Sequence, residues 1–125
     1  MTRNVVTLDN PALKDLPFSP GVRAGSLIYF SGQIGLDPAT GKLAPGGAAA
    51  QTAQAIANIE TVLEAAGKTL GDVIKANVYL ADMADYAAMN EAYAKAFDRP
   101  FPARTCVGVA ALPLGASVEI EVITG

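Results

Sequence analysis

The run from Ala48 to Ala66 constrains this chain more than any other stretch. Ile56, Ile59, Val62, Leu63 and Ala66 recur at helical spacing as one apolar stripe, and Gly67 follows where a left-handed C-terminal cap belongs. Strand-like runs flank it, Leu27 to Ile34 before and Val73 to Leu80 after. A helix of this length between two strands is a crossover, so its stripe must pack on the face of a sheet. A second helical pattern, Tyr86 to Phe97, puts Tyr86, Met89, Tyr93 and Phe97 on one face, with Asp85 as N-cap and Pro100 just beyond the end. Further strand-like runs are Val5 to Leu8, Arg23 to Ala24, Arg104 to Ala110 and Val118 to Thr124, and Asp37-Pro38-Ala39-Thr40-Gly41 reads as a turn. The order β-β-β-α-β-α-β-β predicts an α+β fold, a mixed sheet with both helices on one face. With 125 residues, the expectation is a single domain over 1–125.

Composition narrows the chemistry. The chain has no histidine, which excludes Ser-His-Asp and Cys-His nucleophile systems and imidazole metal sites. Its single cysteine, Cys106, forms neither an intrachain disulfide nor a cysteine zinc cluster. Nine basic residues against twelve acidic give a net charge of −3, far from the basic field of a nucleic-acid binder. No apolar stretch reaches a membrane span, and the residues from Met1 to Val6 lack the apolar region of a signal peptide. The expectation is a cytoplasmic protein whose chemistry rests on carboxylates, Arg, Lys, Tyr, hydroxyls or backbone groups; a carboxylate-only magnesium or calcium site stays open, although no D-x-D-x-D-G loop is present.

The last two strands point to a site. Val118, Ile120 and Val122 alternate with Glu119 and Glu121, and Thr105, Val107 and Val109 alternate with Arg104, Cys106 and Gly108. The connector from Ala111 to Ala116 suggests an antiparallel hairpin. If both apolar sets face the helices, Arg104, Cys106, Glu119 and Glu121 share the uncovered face. Solvated surface ion pairs are the plain alternative. Leu27-Ile28-Tyr29-Phe30 is apolar on both sides, however, so the uncovered face calls for partner subunits, and charges at the edge of such an interface form a cleft.

These residues carry a family resemblance. Phe101-Pro102-Ala103-Arg104-Thr105-Cys106-Val107-Gly108-Val109, then Leu112-Pro113 and Val118-Glu119-Ile120-Glu121-Val122-Ile123, resembles the C-terminal signature of the RidA (YjgF/YER057c/UK114) family. Pro17-Phe18-Ser19, Ser31-Gly32-Gln33-Ile34, Asp37-Pro38-Ala39-Thr40-Gly41, Ala65-Ala66-Gly67 and Asn90 match further motifs in order. The resemblance implies a chorismate-mutase-like fold and a homotrimer with sites between subunits. It also implies hydrolysis of reactive 2-imino or 2-enamino acids, such as 2-iminopropanoate and 2-iminobutanoate, to 2-keto acids and ammonia without cofactor or metal.

Under that reading Arg104 holds the substrate carboxylate with its two-pronged guanidinium, and Glu119 orients or deprotonates water. The alternative for both is a structural ion pair. Cys106 lines the site mainly through its backbone, since no histidine activates the thiol. Ser31 is a cleft residue or a hydroxyl satisfying a turn, and Asn90 supports the site or is a polar helix residue. Phe18 stands where the first family motif often has tyrosine, which removes a hydroxyl. The segment Phe97 to Phe101 is shorter than usual, and Pro20-Gly21 is a further local variation. A small-carboxylate sensor or interaction protein without turnover is the rival reading. RNA cleavage, also attached to this family, is disfavoured by the net charge and the missing histidine.

Overall fold

The computed structural model describes residues 2–125; Met1, where the leader reading and the domain span begin, lies outside them. The strands are β1 (Asn4–Val6), β2 (Gly21–Ala24), β3 (Leu27–Phe30), β4 (Gln33–Ile34), β5 (Leu36–Asp37), β6 (Lys42–Leu43), β7 (Val73–Leu80), β8 (Ala103–Gly108) and β9 (Val118–Thr124), and the helices are α1 (Gly47–Ala65) and α2 (Tyr86–Ala96). The mixed sheet runs β1-β2-β3-β9-β7-β8, with β4 also paired to β9, while β5 and β6 make a separate small ribbon. Both helices pack on one face, which makes the α+β architecture that the helical stripes imply.

The core forms where those stripes meet the sheet. Ile56, Ile59, Val62 and Leu63 of α1, with Met89 and Tyr93 of α2, close over Ile28, Phe30, Ala76, Val78, Leu80, Val118, Ile120 and Val122. Gly67 takes the left-handed conformation at φ 74°, Lys68 N–H reaches back to Leu63 O, and Arg23 Nη2 donates to Ala66 O at 3.0 Å, so the end of α1 is closed by backbone and by a cation. At the start of α2, Asp85 occupies the cap position without a side-chain cap bond; Asp82 instead caps the preceding short turn by accepting from Ala84 N–H at 2.9 Å.

Three expectations need correcting. The strands at 103–108 and 118–124 are not a hairpin. β7 lies between them, parallel to β8 and antiparallel to β9. Crossing over through α2 delivers β8 parallel to β7, and the connector, with a short turn at Pro113–Gly115, then carries the chain past the end of β7 to its other edge.

The facing of β8 is also reversed. Arg104 pairs with Ala76 and Cys106 with Val78, both fully buried, so Arg104 and Cys106 lie on the helix side. Thr105 and Val107 face outward beside Asn77 and Tyr79, whose other neighbours are Glu121 and Glu119. An edge strand partly roofed by α2 tolerates an arginine beneath the helix, because its guanidinium rests over the rings of Tyr86 and Tyr93.

Finally, the run from Leu27 to Ile34 breaks at Ser31-Gly32. Ser31 N–H bonds Pro20 O, and Glu119 occupies the space a side chain at Gly32 would need. On the face away from the helices, Val5, Tyr29 and Val107 stay 40%, 49% and 42% exposed, so that face is apolar in part and uncovered in one chain.

Candidate active site

Arg104 leaves β8 beneath α2, and its neighbours are soft. Its guanidinium lies 4.9 Å from the centroid of Tyr93 and 5.8 Å from that of Tyr86. Nη2 donates to Tyr86 Oη at 3.3 Å, and Nη1 lies 3.7 Å from Met89 Sδ. Among the described residues no carboxylate pairs with it; the one ion pair is Lys95–Glu91. Beside the guanidinium is a pocket of about 270 Å³ lined by Asn90, Tyr93, Ala94, Phe101, Pro102 and Arg104. Asn90, one of the lining residues, has its Oδ1 buried without a hydrogen-bond partner among the described residues. An unpaired two-pronged donor beside a free acceptor suits a small ligand carrying both a carboxylate and an N–H.

Cys106 stands two residues along the same side of β8, half-buried against the core. Burial pushes its thiol pKa up, with the Arg104 charge opposing, which disfavours the thiolate a nucleophile needs.

Glu119 lies on the other face. Its carboxylate sits over Gly32, where a Cβ would fall 2.2 Å from Oε2, and no hydrogen bond holds it among the described residues. Burial first, and then the neighbouring charge of Glu121, raise its pKa above the ordinary glutamate value. Glu121, two residues along the same face, is held instead: its Oε1 accepts from Tyr79 Oη at 2.5 Å and from Asn77 Nδ2 at 3.3 Å. That bond, with burial and the carboxylate charges, pushes the Tyr79 phenol up to about 12. Tyr79 reads in the sequence as one more strand residue; the alternation of β7 puts it on the glutamate face, but its pairing with β9 depends on sheet order.

Phe18 and Ser31 also belong to this second face. They line an open depression of about 710 Å³ with Arg3, Tyr29 and Glu121. Phe18 is 51% exposed, and the Ser31 hydroxyl donates to Ser19 O at 2.6 Å, so it closes a turn while lining the depression. The sequence-derived candidates therefore fall into two groups, Arg104, Asn90 and Cys106 on one side of the sheet and Glu119, Ser31 and Phe18 on the other. The structure does not bring Arg104 and Glu119 together within one chain.

Fold and site together define a class: small α+β chains carrying an unpaired arginine on an edge strand and a free glutamate on the opposite sheet face. The chain belongs to the Endoribonuclease L-PSP family, also known as YjgF/RidA, whose family model matches residues 10–125. It is 49% identical over 107 residues to a Bos taurus protein named 2-iminobutanoate/2-iminopropanoate deaminase, covering 86% of this chain and 78% of that one. A RutC family protein of Pyrococcus horikoshii is 44% identical over 121 residues, 97% of this chain and 96% of the other. The crystal structure of RidA from an Antarctic Psychrobacter superposes with a TM-score of 0.83 at 45% identity, covering 88% of this chain and 89% of that one.

Proposed function

We propose that this chain hydrolyses small 2-imino and 2-enamino acids to 2-keto acids and ammonia, at a site assembled from two copies of itself. The observation that carries the reading is the pairing of deficits: among the described residues Arg104 has no carboxylate partner, and Glu119 has no hydrogen-bond donor. The two lie on opposite faces of one sheet, so a second copy seated on the uncovered face brings the Glu119 of one chain to the Arg104 pocket of another, with the ligand between them. The identity to relatives named 2-iminobutanoate/2-iminopropanoate deaminase supports the substrate class. A homotrimer, as the family resemblance implies, is the expected assembly.

In this mechanism Arg104 of one copy grips the substrate carboxylate through parallel N–H bonds, in a geometry lysine does not reproduce. Asn90 Oδ1 accepts the imine N–H, which orients the C=N bond. Glu119 of the neighbouring copy takes a proton from water as its oxygen bonds to C2, and the π electrons of C=N move to nitrogen. Glu119 returns its proton to the nitrogen, the C2 hydroxyl proton follows as the ketone forms, and the C–N bond breaks with its electron pair leaving as ammonia. A carboxylate whose pKa is raised by burial and by Glu121 is a stronger base than an ordinary surface glutamate. Imines hydrolyse unaided, so orientation plus base catalysis of roughly 10²–10⁴-fold suffices.

The test generates 2-iminopropanoate and 2-iminobutanoate in situ with an amino-acid oxidase and follows semicarbazone formation. Wild type is expected to divert the imine before semicarbazide captures it, and Arg104→Ala is expected to lose this. An inert wild type whose melting temperature still rises with a carboxylate ligand refutes turnover of these imines and favours the sensor reading.

A further inference from the structure

Four buried side-chain polar atoms have no hydrogen-bond partner among the described residues: Thr52 Oγ1, Asn90 Oδ1, Tyr93 Oη and Thr124 Oγ1. Two of these residues, Asn90 and Tyr93, stand one helical turn apart on α2 and line the same small pocket as Arg104. Tyr93 is the unexpected member. It is 4% exposed, stacks on Phe97 at 4.5 Å, and carries the Arg104 guanidinium 4.9 Å from its centroid. Phenylalanine would fill this space equally well. A buried hydroxyl without a partner forfeits the hydrogen bonds that the unfolded chain makes to water, so its presence calls for an explanation outside the fold of one empty chain. Burial pushes the phenol up while the guanidinium opposes it, so the group is a protonated O–H donor.

Arg104 and Tyr93 line one pocket, and the partners of the arginine show what that pocket lacks. Tyr86 Oη already accepts from Nη2, and Met89 Sδ is a weak acceptor, so within one chain the guanidinium meets no anion among the described residues. A carboxylate docked on the fork has two oxygens with about four lone-pair sites, of which the fork takes two. The remainder need further donors close to the arginine.

We propose that Tyr93 is a substrate-binding residue whose hydroxyl donates to the carboxylate held by Arg104, so that α2 and β8 form one carboxylate clamp. This rests on the reading of Arg104 as the carboxylate holder and deepens it. Tyr93 supplies the neutral, fixed part of the clamp, and Arg104 supplies the charge.

The experiment compares wild type, Tyr93→Phe and Arg104→Ala, each as the full chain. Three quantities are read: calorimetric affinity for pyruvate, KM for 2-iminopropanoate, and the ligand-free melting temperature. For Tyr93→Phe, both Kd and KM are expected to rise about tenfold, the scale of one hydrogen bond to a charged group. The ligand-free melting temperature is expected to stay level or rise, because the unpartnered hydroxyl is gone. Unchanged pyruvate affinity overturns the proposal. So does weakened affinity accompanied by a lowered melting temperature, which is what a hydroxyl with a structural partner produces. A wild type that does not bind pyruvate, or an Arg104→Ala variant that binds it equally well, overturns it at the root. The underlying deaminase reading fails separately: if wild type turns over no imine yet binds pyruvate in a Tyr93-dependent way, the clamp stands and turnover does not.

Discussion

Opposite-face placement of Arg104 and Glu119 has a quantitative consequence. If each site takes its arginine from one copy and its glutamate from the next, Arg104→Ala and Glu119→Gln are each inactive alone but complement each other. In an equal mixture with free subunit exchange, half of the arginine positions and half of the glutamate positions are intact. Random assembly therefore restores about one quarter of the sites, whatever the number of copies in the closed ring. The assay is imine diversion from semicarbazide after co-expression or after exchange at mild denaturant, with mass spectrometry verifying mixed assemblies. Mixing wild type with the Arg104→Ala/Glu119→Gln double variant gives an independent reading. A shared site leaves about one quarter of the activity of an equal amount of wild type, whereas a site within one chain leaves about one half. Verified mixed assemblies with no recovery from the two single variants, and one half from the second mixture, refute the shared site.

The glycines on either side of β4 separate function from stability. Gly32→Ala places a Cβ 2.2 Å from Glu119 Oε2, the mobile end of a side chain, so it is expected to displace the carboxylate and lose at least tenfold in kcat with little change in the urea midpoint. Gly35→Ala meets Gln51 Cα and O at 2.6 and 2.5 Å, which is helix backbone, so it is expected to destabilise by about 1–3 kcal/mol in urea unfolding. For pH, the raised pKa of Glu119 means the folded state favours its protonated form. Its contribution to stability is full below the ordinary glutamate value and is lost as pH rises through the raised one, so Glu119→Gln is expected to stabilise the chain at neutral pH and to lose that advantage in acid. Since the base must be ionised, kcat/KM is expected to fall on the acid side through the raised value, and Glu121→Gln, by removing a like charge, is expected to move that limb to lower pH.

What was legible in the sequence and what was not divide along one physical line. Helical stripes and strand alternation are local, so the α1 stripe with its Gly67 cap, the α2 face and the alternation of β9 could be read from neighbouring residues. Strand order is not local. A short connector makes two strands look like a hairpin, and nothing within 104–124 says that β7, thirty residues earlier, takes the place between them. The facing of β8 failed for a related reason: Thr105 and Val107 are good strand residues on either side of an edge strand, and the arginine goes under the helix because Tyr86, Met89 and Tyr93 of α2 receive it. The choice of individual candidate residues does not depend on these errors, because it comes from motifs and chemistry, whereas their grouping depended on topology. With the topology corrected, an arginine and a glutamate that looked like partners on one surface become groups that one chain keeps apart. Under the proposed shared site the exposed Val5, Tyr29 and Val107 acquire a role, since covering that face with a second copy would also bring the two charged groups within reach of one ligand.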